Sequence, residues 1–391
     1  MNYFEEFEKT YEKAFLYKRK YLNEAMEKNA RFELDRLGGS FVSDKEYREQ
    51  ILPYWAGYNE KPDKLWFDYF GSRDSVVNPA FVPADIYINK IVPYINDLRL
   101  RYAYSDKCIL DRLFPDVKQP VTVCKCMSGI YYDSDMNMVG EDKAVQLCLN
   151  HNKMIIIKPA DYSSTSSRGI TVMNPAESTP EKIKEIFKKT GRTFIVQEMV
   201  KQHPELASLN SDAVATIRVN SLLTENGVYI PYSILRIGAP GEKVVTDGKG
   251  NWCCEIKDDN TLHEKMLVMD IGSKVDENGD TVSEVLDAVW ASNTAEAKYP
   301  KGFAVPFMDR IRSIVRSIHP RLPYFRWLGW DFAVDDKNEP VLFEFNEVPG
   351  YYTGQLPVCK PFFGDMTGEI LDDYYIHRKL EKNHIQNRII D

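Results

Sequence analysis

The sequence lacks a long apolar run and a basic surplus, and each absence excludes a class of protein. No stretch approaches the roughly 18 apolar residues that a membrane span needs. The N-terminus is acidic and has no apolar segment of the kind that a signal peptide carries. Lys and Arg total 50 against 58 Asp and Glu, whereas a nucleic-acid binder normally shows a strong basic excess. We therefore expect a cytoplasmic protein with no transmembrane segment that binds no nucleic acid.

Cysteine is also scarce, with seven residues scattered along the chain. Cys124-x-Cys126 and Cys253-Cys254 do not have the CxxC spacing typical of structural zinc sites. We interpret the cysteines as reduced, mostly buried thiols. The length of 391 residues, with 43% hydrophobic and 28% charged residues, indicates a globular protein of roughly two to three domains or subdomains.

Residues 330–346 have the pattern of a β-hairpin, with two apolar-rich runs on either side of a polar turn. We place Lys337 and Asn338 at the centre of the turn. This register puts Asp331 directly opposite Glu344, on one face of the hairpin. A one-residue slip would send one of the two acids to the other face. That other face is expected to carry the aromatic residues Trp330, Phe332, Phe343 and Phe345.

The same hairpin offers a candidate metal site. Asn346 lies two residues after Glu344 and therefore shares its face. Two carboxylates and an amide are hard oxygen ligands that suit Mg²⁺, which usually binds one or two carboxylates plus substrate phosphates. A surface hairpin with solvated acids explains the same residues, so the metal site depends on support from the rest of the chain.

Residues 1–104 show structural patterns but no recognisable chemistry. In residues 1–52, apolar residues recur at three- and four-residue steps, which predicts helices. These helices would form a cap or a partner-binding arm, and an amphipathic helix at a membrane surface is the alternative. Residues 53–104 are rich in proline and aromatic residues, which predicts short elements and turns in a small α/β lead-in.

A lysine and a serine-rich loop mark the centre of the chain. Residues 154–159 form a predicted buried strand that contains Lys158 and leads into the polar loop 160–169. Small residues let successive backbone N–H groups approach phosphate oxygens, and hydroxyls add donors. A mobile hydrophilic loop explains the composition equally well. The spacing is that of neither a Walker A loop nor a dinucleotide-binding fingerprint.

A further set of polar residues lies in the next part of the chain. Thr216, Arg218 and Asn220 alternate with apolar residues in a predicted strand and so share one face. An arginine in such a strand usually has a partner if it is buried. The following predicted strand, residues 229–237, carries Arg236.

Taken in order, these motifs resemble the ATP-grasp superfamily, over about residues 105–365. The motifs are Lys107, Lys158-Pro159 with its polar loop, the strand 194–200, Thr216-Ile217-Arg218-Val219, and Asp331 with Glu344-Phe345-Asn346. Residues 197–206 and 235–240 resemble, more narrowly, the sugar-transfer-associated ATP-grasp group, which is linked with bacterial surface-polysaccharide loci. Residues 346–350 are similar to a turn of D-alanine–D-alanine ligases. The loop has a single glycine, Gly169, where many members have several.

The resemblance implies an α+β ATP-grasp fold, in which two α+β subdomains with antiparallel sheets grip ATP. An N-terminal helical segment and the small α/β lead-in would precede them. The expected divisions are a helical segment at 1–52, the lead-in at 53–104, an N-terminal subdomain at 105–193, a C-terminal subdomain at 194–365 and a helical tail at 366–391.

The resemblance also implies ATP and Mg²⁺ as cofactors and a role for each motif. The expected phosphate contacts are Lys107, Lys158 and the loop 163–169, through Ser164, Ser166, Ser167 and Gly169. The expected adenine-binding strand is Gln197, Glu198, Met199 and Val200, with Glu198 or Glu205 near the adenine amine or the ribose. Arg218 would contact the transferring phosphate. Candidate acceptor contacts are Arg236, Lys249, Tyr351 and Tyr352, and the Mg²⁺ ligands are Asp331, Glu344 and Asn346.

The implied activity is an ATP-dependent ligase that joins a carboxylate to an amine through an acyl phosphate. The partners would be a sugar acid or similar carboxylate and an amino acid or small amine, in bacterial surface-polysaccharide modification. Two alternatives stay open: a small-molecule or sugar kinase on the same scaffold, and a nucleotide-binding protein without catalysis. A homodimer is open as well as a monomer.

Overall fold

The computed structural model describes residues 3–160, 169–239, 241, 251–275, 281–292, 302–350 and 354–377. The described part up to residue 104 is helical. Its α-helices are Tyr3–Arg36, Asp44–Glu46, Leu52–Ala56, Leu65–Gly71, Ala84–Ile86, Val92–Ile95 and Arg101–Tyr104, with a 3-10 helix at Leu98–Leu100 and π-helical turns at Tyr47–Ile51 and Tyr87–Ile91. Among the described residues, every helix is too short or too polar to cross a membrane.

The strand content expected for residues 53–104 is wrong, because the regular elements of this segment are helices and its one β-bridge joins Asn96 to Phe325. Pro53 and Pro93 each follow a five-residue π-helical turn, Tyr47–Ile51 and Tyr87–Ile91. A proline inside an α-helix lacks an N–H donor and clashes with the carbonyl four residues earlier. The wider π turn relieves that clash. The prolines therefore modify helices in this segment rather than separating strands.

The first antiparallel sheet lies in residues 122–198, with the strand order β3-β2-β1-β6-β4-β5. One face packs against the helices Glu141–Leu149 and Pro180–Thr190 through residues that include Val145 and Phe187. Its strands are β1 Thr122–Met127, β2 Ile130–Asp133, β3 Met138–Val139, β4 Ile155–Pro159, β5 Thr171–Met173 and β6 Phe194–Glu198.

The position of β6 corrects the expected boundary between the two subdomains. The expected C-terminal subdomain begins at residue 194 and so includes β6, but this strand pairs with both β1 and β4 at the centre of the first sheet. The strand is almost entirely buried, as expected for a central strand with a neighbour on each side. The first sheet therefore extends to Glu198, and the chain passes to the second sheet afterwards.

The second antiparallel sheet has the strand order β11-β10-β9-β8-β7-β12-β13. Its strands are β7 Thr216–Thr224, β8 Gly227–Ile237, β9 Asn251–Ile256, β10 Lys265–Val275, β11 Thr281–Ser292, β12 Trp327–Val334 and β13 Pro340–Asn346. One face packs against the helices Pro204–Leu209 and Met308–Ile318 around Trp330. The N-terminal helices cover part of the other face around Trp327. The polar side chains of Arg218 and Asp331 lie on that same face.

The remaining helices in the described part of the chain are short. They are the α-helices Leu110–Leu113, Gln355–Val358 and Thr367–Asp372, the 3-10 helices Lys107–Ile109, Pro175–Glu177, His319–Arg321 and Gly364–Met366, and the π-helical turn Asp373–His377.

The N-terminal helices share a core with the second sheet. The Tyr87 ring stacks on Phe362 with ring centroids 3.8 Å apart, and Trp327 Nε1 donates a hydrogen bond to Tyr87 Oη at 2.8 Å. Arg73 Nη1 forms a buried ion pair with Glu255 of β9 at 2.6 Å. The segment 53–104 thus packs directly against one face of the second sheet.

We predict that Asn96→Ala lowers the free energy of unfolding by about 2–4 kcal/mol. Asn96 is 1% exposed. Its amide donates to the carbonyls of Trp327 and Glu347, at 2.8 and 2.6 Å, and accepts from the Trp327 N–H at 2.9 Å. The substitution leaves these buried backbone groups without a partner. Urea unfolding measures the effect, and Asn150→Ala, at an exposed position, should change stability by less than about 0.5 kcal/mol.

Candidate active site

The hairpin of β12 and β13 pairs Asp331 with Glu344, as the sequence predicts. The predicted two-residue turn centred on Lys337 and Asn338 is wrong. The Asp335 N–H donates to the Glu339 carbonyl at 3.0 Å, and this closing hydrogen bond encloses a loop of three residues, 336–338. Asn338 adopts a left-handed backbone with φ of 66°. Asparagine tolerates this conformation better than most residues, which favours the longer turn.

A β-bulge restores the predicted pairing. Near the turn, Phe332 pairs with Leu342, one residue out of the predicted register, and the shift back occurs between Phe332 and Asp331. Phe343 is therefore the extra residue of the bulge. It was expected on the core face, but its ring centroid lies 6.0 Å from Lys158 Nζ, so it borders the polar site. The other three aromatic residues are in the core as predicted: Trp330, Phe332 and Phe345.

Arg218 and Asp331 form the buried centre of the site. They are opposite each other on β7 and β12, and they are 5% and 3% exposed. Arg218 Nη2 donates to Asp331 Oδ2 at 2.7 Å, and Arg218 Nε donates to Oδ1, so the pair is bidentate. Asn346 Nδ2 lies 3.5 Å from Asp331 Oδ2. The predicted face thus gathers Asp331, Glu344 and Asn346 beside one guanidinium.

Two lysines that precede the second sheet in the sequence, Lys107 and Lys158, place positive charge next to Glu344. Lys107 Nζ lies 3.0 Å from Glu344 Oε2. Burial disfavours the charged form of Lys107, but the Glu344 carboxylate outweighs it and raises the pKa of Lys107. Burial would raise the pKa of Glu344, but Lys107 and Lys158 hold it well below its usual value. Burial lowers the pKa of Lys158 to about 8, against the attraction of Glu344.

Lys125, which the sequence reasoning did not single out, anchors the segment that carries Lys107. Its fully buried Nζ donates to the Cys108 carbonyl at 2.7 Å and to Asp111 Oδ2 at 2.6 Å. The Lys107 N–H donates to the Ala160 carbonyl at 2.9 Å, which ties this segment to the end of β4. The signal in the sequence was a lysine between two cysteines in an otherwise apolar strand, because buried lysine is rare without a partner.

We predict that affinity for Mg²⁺-ATP falls as pH rises from 7 to 9. Lys158 in the free protein has a pKa of about 8, lowered by burial, so its positive charge is present below that pH and is lost as pH rises through it. Phosphate oxygens bind the protonated form, so the affinity falls by up to about tenfold per pH unit above the pKa. Calorimetric titration at each pH measures the effect. Lys158→Met should bind more weakly with a flat pH profile, and a flat wild-type profile would contradict the prediction.

The structure separates the side chains of the predicted adenine-binding strand. Gln197 lies opposite Ile156 and so shares the face of Lys158, whereas Glu198 lies opposite Ile155 on the face packed against helices. The Glu198 carboxylate pairs with Lys153 Nζ at 2.5 Å and is not brought together with Lys158. The Met199 N–H donates to the Met154 carbonyl at 2.9 Å, and Val200 is partly buried next to it. Glu205 is exposed at the start of the helix Pro204–Leu209.

Of the other predicted site residues, the structure describes Arg236 and Gly169. Arg236 lies opposite Thr216 on β8, on the same face as Arg218. Gly169 has a φ of 76°, and a Cβ there would lie 3.1 Å from Pro159 Cγ, so this position requires glycine. Several predicted residues lie outside the described part of the chain: Ser164, Ser166, Ser167, Lys249, Tyr351 and Tyr352.

The donor set fits Mg²⁺ in its chemistry. Within the described residues, no group of three or more His, Cys, Asp or Glu side chains could hold a metal ion. The candidate set instead has two cross-strand carboxylates, Asp331 and Glu344, with the Asn346 amide next to them. Mg²⁺ usually takes one or two carboxylates and completes its coordination with substrate phosphates and water. Two carboxylates and an amide are therefore sufficient as the protein's contribution to such a site.

The chain is similar to a known protein family and to several solved structures. The family model described as sugar-transfer associated ATP-grasp matches residues 89–364. The comparison with curated proteins returns no match. Similar solved structures include the VanG D-Ala:D-Ser ligase from Enterococcus faecalis, at 14% identity and a TM-score of 0.40, with 70% of this chain and 62% of that chain covered. D-alanyl-alanine synthetase A from Vibrio cholerae has 13% identity and a TM-score of 0.39, with 70% and 65% covered. This chain thus spans less than two thirds of either structure.

Proposed function

This chain belongs to the sugar-transfer associated ATP-grasp family, and from this premise we propose that it is an ATP-dependent ligase joining a carboxylate to an amine. One observation carries the proposal. Three cationic side chains, Lys107, Lys158 and Arg218, surround the Asp331–Glu344 pair, although they come from separate parts of the chain. Such a cluster suits a triphosphate and a metal ion, because it offers charges for both.

Each residue of the cluster has a role in the proposal. Lys107 and Lys158 bind ATP phosphates, and Arg218, held by Asp331, stabilises the charge on the transferring phosphate. Asp331, Glu344 and Asn346 would hold Mg²⁺, which neutralises charge on the phosphates when bound. The predicted roles of the loop 163–169, of residues 197–200 and of Glu205 in binding the nucleotide remain part of the proposal.

The reaction has two steps. The substrate carboxylate attacks the γ-phosphorus of ATP, the bond to the β,γ-bridging oxygen breaks, and ADP leaves. The amine then attacks the carbonyl carbon of the acyl phosphate, inorganic phosphate leaves with the C–O bond electrons, and the nitrogen loses a proton. No protein nucleophile is needed. Acyl phosphates hydrolyse readily, so the site must exclude water between the steps.

For the substrates, we propose a sugar acid or similar carboxylate and an amino acid or small amine. We place the activity in the modification of bacterial surface polysaccharides. The family supports this context through its description as sugar-transfer associated.

Hydroxylamine trapping tests the proposed function. The protein is incubated with Mg²⁺-ATP, hydroxylamine and a panel of uronic acids, and ADP release is measured together with the mass of the product. A ligase forms the hydroxamate of one of the acids, because hydroxylamine intercepts the acyl phosphate. A stable phosphorylated product would instead support a kinase. ATP binding without ADP release for any acid would contradict catalysis.

A further inference from the structure

Two buried polar side chains lie beside the cluster without a hydrogen-bond partner. Asn220 is fully buried, and neither its Oδ1 nor its Nδ2 has a partner among the described residues. Tyr232 is 5% exposed, and its hydroxyl likewise has none in the described part of the chain. The two residues are directly opposite each other on β7 and β8. Buried polar groups are rarely unpaired, because desolvation costs free energy that a hydrogen bond must offset.

Asn220 lies immediately next to the proposed reaction centre. It follows Arg218 by two residues on the same face of β7, a separation of about 6.6 Å along the strand. It is opposite Gly329 of β12. A Cβ at Gly329 would lie 3.0 Å from Asn220 Oδ1 and 3.3 Å from Arg218 Nη1. The glycine therefore leaves the amide and the guanidinium side by side, with no side chain between them.

The chemistry of the pair selects one class of ligand group. An amide and a phenol each donate and accept hydrogen bonds and carry no charge. Burial raises the pKa of Tyr232 well above its usual value, so its hydroxyl stays neutral at physiological pH. A charged ligand group would receive no compensating charge from the pair. A hydroxyl group, which donates and accepts, matches both side chains.

We propose that Asn220 and Tyr232 bind hydroxyl groups of the carboxylate substrate and so select a polyhydroxy acid over an apolar acid. The inference rests on the proposed function, in which Arg218 contacts the transferring phosphate and the carboxylate that attacks this phosphate is therefore close to Arg218. The remainder of the acid then extends along β7 toward Asn220. The two residues determine specificity, whereas Arg218 and the lysines act on the phosphates.

Ser233 provides a matched control. Its hydroxyl is also buried and has no partner among the described residues, and it is the next residue after Tyr232. It lies opposite Val219, however, on the face that packs against the helix Met308–Ile318. Ser233→Ala removes a comparable buried hydroxyl from the face of the sheet opposite to Asn220 and Tyr232.

The experiment measures binding by calorimetry in the presence of Mg²⁺ and a non-hydrolysable ATP analogue. The probes are D-glucuronate, D-galacturonate and D-gluconate, and the reference acid is cyclohexanecarboxylate, which has the same charge and no hydroxyl. Wild type should prefer at least one hydroxy acid by about tenfold or more, since a site built to bind a hydroxyl rejects the analogue that lacks it. Asn220→Leu and Tyr232→Phe should each remove most of that preference without weakening the reference acid, and Ser233→Ala should retain it.

Thermal unfolding separates this role from a structural one. Asn220→Leu keeps the shape of the side chain and removes unpaired polar atoms, so the Tm should stay the same or rise. A lower Tm in Asn220→Leu, a wild type without preference, or a preference that survives in both variants would overturn the inference.

Failure of the ligase proposal gives a different pattern. Hydroxamate formation without a preference for hydroxy acids would overturn the inference alone. A preference that both variants lose, without hydroxamate from any acid, would support the inference and contradict the ligase.

Discussion

Glu344→Gln is expected to lower ATP-dependent turnover by about a thousandfold while the chain stays folded. Glu344 is opposite Asp331 and pairs with Lys107, so it is the carboxylate that connects the proposed metal site to the lysines proposed to bind phosphate. Its pKa lies well below its usual value, against the effect of burial, because Lys107 and Lys158 are close. The residue is therefore fully ionised at neutral pH. Glutamine keeps the shape but removes the charge that a divalent cation requires.

The same substitution should have the opposite effect on nucleotide binding without metal. Glu344 is the counter-ion of Lys107 and Lys158 in the free protein. Its removal leaves the cations uncompensated, so ADP should bind at least as tightly as to wild type when EDTA is present. Loss of turnover together with loss of metal-free ADP binding would contradict this account and would indicate a damaged fold.

A control for this prediction lies in the same hairpin. Glu339 pairs with Arg310 at the turn, far along the strands from Asp331, and is partly exposed. Glu339→Gln removes one carboxylate from the hairpin without touching the cluster. Its turnover and metal-free ADP binding should match wild type, measured by ADP release and by calorimetry.

The sequence predicts the hairpin partners Asp331 and Glu344 correctly, although the turn from which the register was counted is wrong. Asp331 and Glu344 do face each other, but the three-residue turn displaces the register by one and the bulge at Phe343 displaces it back. The turn has a local signal: Asp335 Oδ1 accepts the N–H groups of Lys337 and Glu339, as aspartate often does at a turn. The bulge at Phe343 has no comparable signal in the sequence.

Contacts between distant segments were harder to predict. The sequence indicates that a buried Arg218 needs a partner, but the partner, Asp331, is 113 residues away and becomes adjacent only when β7 and β12 are neighbours. Likewise, Glu198 and Gln197 look equivalent as residues of one strand. The strand's position between β1 and β4 decides which side chain faces Lys158. The order of the motifs along the chain identifies the fold. Which side chains meet in the site depends on which strands are neighbours and on the face that each residue occupies.

Arg218→Lys is expected to have the largest combined effect, because it damages stability and catalysis together. Lysine retains the charge but cannot donate the two parallel hydrogen bonds that Arg218 Nε and Nη2 give to Asp331. Asp331 then keeps a positive neighbour but loses its two-point hydrogen bonding in a buried site, so the free energy of unfolding should fall by about 3 kcal/mol. Turnover should fall by about a hundredfold or more, since the guanidinium proposed to contact the transferring phosphate is lost.

A double-mutant cycle with Asp331→Asn distinguishes the two effects. If the stability loss arises from the buried pair, the double variant should be destabilised by clearly less than the sum of the single variants, because both substitutions break the same pair of hydrogen bonds between Arg218 and Asp331. Turnover measured well below each variant's Tm should stay low in all three, since Asp331 is also a proposed Mg²⁺ ligand. Additive destabilisation would show that Arg218 and Asp331 act independently, and an active Arg218→Lys enzyme would remove Arg218 from the proposed mechanism. Stability thus tests the ion pair, and turnover tests the catalytic role.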